Sequence, residues 1–104
     1  MNDIQRLEKV IRDLYGCDSM HVQSVHVHET IRETVVWDAD VEVFLLVNYS
    51  RAKRAYAWSF TDDFGQLRDM IIRGVTPINS AVDAVRAYVG VEVIGSPRPL
   101  SSGG

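Results

Sequence analysis

The chain has 104 residues, 46% of them hydrophobic and 24% charged, with a net charge of −3. That is one domain's worth of sequence, long enough for a core without metal or disulfide support. The acidic balance tells against a nucleic-acid or anionic-membrane surface. Cys17, the only cysteine, has no internal disulfide partner and fits a reducing compartment.

The N-terminal segment MNDIQRLEKV carries charge where a secretory signal is apolar, so a cytoplasmic protein is expected. No apolar run approaches the length of a membrane span. Residues 3–15 are predicted to form an amphipathic helix with Ile4, Leu7, Ile11 and Leu14 on one face. Asn2 and Gln5 have the spacing of a capping box, and Gly16 is the expected stop. Residues 20–31 read as a first strand. Val25, Val27 and Ile31 share one parity there and Val22 breaks it, which predicts a bulge near Ser24 or a frayed start.

After a polar turn at residues 32–34 comes the stretch that organises the rest, Val35 to Tyr49. Every odd position from Val35 to Tyr49 is apolar, and a strand sends alternate side chains to opposite faces. One face should therefore be wholly buried. The other begins polar at Asp38, Asp40 and Glu42 and becomes apolar at Phe44 and Leu46. Matching the buried faces pairs Ile31 with Val35, Val27 with Ala39 and Val25 with Val41. The same register sets His28 opposite Asp38 and His26 opposite Asp40.

Arg54 to Thr61 is a third strand, with Tyr56, Trp58 and Phe60 on one side and Ala55, Ala57 and Ser59 on the other. A turn centred near Arg51 would place Leu45 opposite Ala57 and Phe44 opposite Trp58. Small residues let a helix approach closely, so both helices are expected on that small-residue face. Residues 62–66, DDFGQ, have the composition of a hairpin turn. Leu67 to Val75 then reads as a fourth strand, with Met70 and Ile72 on the aromatic face. A helix from Asp63 to Gly74 also fits the spacing of Leu67, Met70 and Ile71, but it would carry a glycine in its first turn. Ser80 to Val89 is a second helix, capped through Ser80 and Asp83, stopped by Gly90 and apolar enough to be buried on most sides. Val91 to Ile94 is expected as a short edge strand, and residues 95–104 as a flexible tail. The fold class that follows is α+β: a single domain over residues 1–94, with an N-terminal helix, an antiparallel meander of three to four strands and a C-terminal helix packed on one sheet face.

Two constellations bear on function. The first is the aromatic side of the sheet: Phe44, Leu46, Tyr56, Trp58, Phe60, Met70 and Ile72. Burying each large side chain stabilises by about 1.5–3 kcal/mol, so seven of them left in water must find a cover. With helices assigned to the other face, a homodimer or a protein partner seated on these residues is expected ahead of the alternatives, a helix or tail of the same chain or a ligand, peptide or bases stacked on the aromatics. The second is His26, His28, Asp38 and Asp40. Histidines two apart on a strand lie about 6.5–7 Å apart, a spacing that suits a ligand or metal site. Cross-strand ion pairing explains the same residues without a ligand, and neighbouring carboxylates would raise the histidine pKa. No G-x-S-x-G, Walker, C-x-x-C or H-E-x-x-H motif occurs, and no cofactor is expected. The reading that results is a non-catalytic, self-associating or partner-binding module. The alternative is a small-molecule- or metal-binding protein, or a minor enzyme, built on the His/Asp cluster.

The segments HVHET at 26–30, VEVF at 41–44, AKRAYAW at 52–58 and SAVDAVRAYV at 80–89 are similar to those of small uncharacterised bacterial proteins of the mobile-element or gene-cassette type. The resemblance implies a compact cytoplasmic protein and transfers no active site. The order helix, three strands, helix also resembles the double-stranded-RNA-binding domain. That family's basic loop and helix-start lysines are missing here, so nucleic acid is not an expected partner.

Overall fold

In the computed structural model, which describes residues 2–90, the elements run α1 (Asp3–Tyr15), β1 (Asp18–Ile31), β2 (Thr34–Val47), β3 (Arg54–Thr61), β4 (Leu67–Arg73) and α2 (Ala81–Val89). The strands form one open antiparallel sheet in the order β1-β2-β3-β4. The architecture is α+β, and the fourth strand sets it apart from the three-stranded double-stranded-RNA-binding topology. Residues 62–66 close a hairpin in which the Asp62 carboxylate accepts from the Phe64 and Gln66 amides, with Gly65 at φ 79°. This turn delivers residues 67–73 as a strand rather than a helix. Among the described residues no helix is long and apolar enough to cross a membrane. The expected edge strand at 91–94 and tail at 95–104 lie outside the described residues.

The β1–β2 register is the expected one over its centre. Val25 faces Val41, His26 faces Asp40, Val27 faces Ala39 and His28 faces Asp38. The bulge falls between His21 and Gln23, slightly earlier than expected, and a second irregularity between Glu29 and Thr30 puts Val35 opposite Thr30 instead of Ile31.

The β2–β3 register differs from expectation, and the difference changes what covers each face. Leu45 pairs with Arg54, Phe44 with Ala55, Val43 with Tyr56 and Glu42 with Ala57. Asn48 takes a left-handed φ of 55°, and the Leu46 amide donates to the Lys53 carbonyl at 2.9 Å. These features centre the connection between Tyr49 and Ser50, ahead of Arg51. The displacement is an odd number of residues, so it exchanges the faces of β3 relative to β2. Tyr56 and Trp58 join Val41 and Val43, while Ala55 and Ala57 join Phe44 and Leu46.

The helices consequently lie on opposite faces. Leu7 and Ile11 of α1 bury against the small residues Ala55 and Ala57, with Phe44 and Leu46 beside them. On the other face the bulky side chains belong to the sheet, and α2 meets Tyr56 and Trp58 with the small residues Ala81 and Ala84 and with Val85. Bulk on one layer matches its absence on the next, as close packing requires. Arg6 ties α1 to the sheet through Ser59 and Asp69, and Arg86 ties α2 to Glu29. Gly74 sits where close approach demands it. Its amide donates to the Arg54 carbonyl at 2.8 Å, and a Cβ there would stand 3.1 Å from both that oxygen and the Tyr56 ring.

Coverage is incomplete at the ends. A nine-residue helix such as α2 is about 13 Å long, against about 46 Å for a 14-residue strand such as β2. The expected wholly buried odd face of β2 is therefore buried only at Val41 and Val43, and Val35 and Val47 are exposed. Leu14, expected on the buried face of α1, is 62% exposed because it lies in the helix's last turn.

Candidate functional site

The residues expected to form one partner surface are divided between the two faces. Phe44 and Leu46 are buried under α1. Tyr56, Trp58, Phe60, Met70 and Ile72 lie on the α2 side, with Trp58 only 2% exposed. Tyr88 of α2 caps this row, its ring centroid 5.3 Å from that of Trp58 and 6.5 Å from that of Phe60. The chain's own second helix is the cover that the aromatic row needed, and the expected interface on these seven residues is corrected accordingly. The physical cause is the register of β3, which turned its bulky row toward α2.

The histidine cluster assembles as expected from the β1–β2 register. The His26 Nδ1 lies 2.8 Å from Asp40 and its Nε2 2.5 Å from Asp38, while the His28 Nδ1 is 3.7 Å from Asp38. The Asp40 and Asp38 carboxylates, in that order, hold the His26 pKa above its ordinary value. Both ring nitrogens of His26 are engaged by carboxylates, and all four side chains are more than half exposed. Among the described residues no group of three or more His, Cys, Asp or Glu side chains is arranged to hold a metal ion.

His21 joins this ladder, which parity alone did not reveal. The bulge at Val22 brings His21 to the face of Ser24 and His26, where its Nε2 meets Glu42 at 2.8 Å and its ring meets Phe44 edge-on. Ser24 also bonds Glu42. Cys17 is no nucleophile of note, since burial and then the Asp18 charge push its thiol pKa up.

A third feature was not anticipated. At the end of the sheet near the β2–β3 connection, α2 leaves part of its face uncovered. Two adjoining cavities lie there, of about 550 and 370 Å³, and they share Leu45, Arg54, Tyr56 and Asn79 as walls. The smaller is bounded by Val22, Val25, Val43, Ala81 and Val82, and the larger by Ser50, Arg51, Lys53, Gly74 and Thr76. Val22 is 44% exposed and Met20, paired with Leu45, is 57% exposed. Arg51, Lys53 and Arg54 form no ion pair among the described residues. Tyr56 stands at the junction, where burial raises its hydroxyl pKa and the Arg54 guanidinium partly offsets that rise. The sequence signal was present in the closely spaced cations of SRAKR beside exposed Val47, but only the third dimension adds Val22 and Val82.

Comparison with protein-family models finds no match, and no curated protein and no solved structure matches the chain.

Proposed function

We propose that this protein is a non-catalytic binding module whose recognition surface is the open end of the α2 face. The observation that carries this reading is the run of exposed apolar side chains, Met20, Val22, Val47 and Val82, around the half-buried Leu45, beside three cations. A soluble domain rarely leaves such a run in water without a use for it. His26, His28, Asp38 and Asp40 are engaged with one another on open surface, and the half-buried His21–Glu42 pair lines neither cavity, so neither group faces an enclosed substrate site. A second copy of the chain is a less suitable occupant than a different partner, because a symmetric contact would bring two sets of Arg51, Lys53 and Arg54 together. The lone Cys17 supports a reducing, cytoplasmic setting.

Nile red, an uncharged dye that brightens in apolar surroundings, tests the surface. The native chain should enhance its emission, and Leu45→Glu should remove the enhancement while the protein still melts cooperatively. Equal emission from both proteins would contradict the assignment. Light scattering on the same samples settles self-association, since a dimer dissociated by Leu45→Glu would make a second copy the occupant.

A further inference from the structure

The paired cavities differ in chemistry along their length, and that difference specifies a ligand. One end is apolar, walled by Val22, Val25, Val43 and Val82, and the other is cationic, walled by Arg51, Lys53 and Arg54. Leu45, Arg54 and Tyr56 line both, so one ligand can span them. Each cavity falls in the range of about 300–1,000 Å³ typical of small-molecule sites.

Resting on the binding-surface reading above, we propose that the groove takes a small anionic amphiphile, with an oxyanion head among Arg51, Lys53 and Arg54 and an apolar body along Val22, Leu45 and Val82. Three cations that line one cavity of a chain of net charge −3, with no ion pair among the described residues, favour an anion there. Guanidinium groups bind carboxylate or phosphate oxygens through paired, charge-assisted hydrogen bonds, so two arginines in the wall favour an oxyanion. The start of α2 contributes little. The Ser80 hydroxyl already accepts from the Asp83 amide, and the Asp83 carboxylate accepts from the Asn79 amide at 3.0 Å. Asp83, whose charge also raises the Tyr56 hydroxyl pKa, is buried at the helix start and lines neither cavity. Recognition of the head therefore rests on the cationic side chains, and recognition of the body on the valines and Leu45.

Calorimetric titration of the full chain with decanoate, decyl phosphate, decanol and decylammonium, each below its micelle concentration, tests the assignment. Both anions should bind at one site about tenfold or more tighter than decanol, with decylammonium weakest. Whichever anion binds more tightly identifies the head group as carboxylate or phosphate. Arg54→Gln combined with Lys53→Gln should weaken both anions about tenfold and leave decanol unchanged. Val82→Glu, an exposed position, should weaken all four. Amide shifts on adding decanoate should fall at Val22, Leu45, Arg54 and Val82. Equal binding of decanol and decanoate would overturn the anionic head while leaving the binding surface intact. Shifts confined to other parts of the chain would overturn the site itself, and Nile red emission unchanged by Leu45→Glu would overturn the surface beneath it.

Discussion

Trp58 of β3 and Tyr88 of α2 meet edge-on, their ring centroids 5.3 Å apart, and Trp37 of β2 closes on Trp58 from 4.9 Å. Such aromatic geometry adds to the burial energy of the rings. The Trp58 Nε1–H has no acceptor among the described residues, so the indole works here as a shape. Trp58→Ala should cost about 3–5 kcal/mol in urea unfolding. Trp58→Phe should cost far less, about 1–2 kcal/mol, because no hydrogen bond is lost with the nitrogen. Similar losses for the two variants would contradict this packing.

The His26 pair with Asp40 and Asp38 makes the β1–β2 hairpin respond to pH. The folded pKa lies above the ordinary 6.5, so the contribution is complete below that value and is lost as pH rises through the folded pKa. The groups facing His26 are Asp38, which also approaches His28, and Asp40, with Glu42 and His21 farther along the same face. Melting temperature should therefore fall as pH rises above about 6.5, and His26→Gln should flatten that slope. The side chains are exposed, so the effect is small and shrinks with salt.

Asp69 gives the opposite sign at lower pH. Burial pushes its carboxyl up, and the Ser59 hydroxyl at 2.6 Å together with the Arg6 guanidinium outweighs burial, leaving the pKa below 3.8. Its contribution is present above that value and disappears as pH falls through the folded pKa. Asp69→Ala should cost about 1–2 kcal/mol at neutral pH, releasing α1 from β3 and β4. It should also reduce acid sensitivity below about pH 4. Chemical denaturation of both proteins at neutral and acid pH reads both effects.

The β1–β2 turn holds Arg32 at φ 49° and Glu33 at φ 69°, where side chains are disfavoured. Glu33→Gly should stabilise the protein by about 0.5–1 kcal/mol, measured as a raised urea midpoint at unchanged slope. A lowered midpoint would mean that the Glu33 side chain makes a compensating contact.

The strands, both helices and the central β1–β2 pairs were legible because period-two and helical patterns depend on local sequence. The register of β3 was not, since it hinges on the left-handed Asn48 and on a connection turning between Tyr49 and Ser50. One clue was available in the sequence. The alanines of α2 complement a bulky sheet row, and Leu7 and Ile11 of α1 complement a row of alanines, which assigns one helix to each face. The place of His21 in the ladder was hidden for a similar reason, because a bulge at Val22 alters the parity that a strand pattern assumes. The groove beside Arg54 combines residues from β1, β2, β3 and α2, and nothing in their separate sequence positions joins them.

A nuclear Overhauser measurement on a sample mixing isotope-labelled and unlabelled chains addresses most directly whether α2 covers its own sheet. Strong contacts between Trp58 indole and Tyr88 ring protons within one chain, with none between chains, are the expected result. Contacts seen only between labelled and unlabelled chains would return the aromatic row to a second molecule.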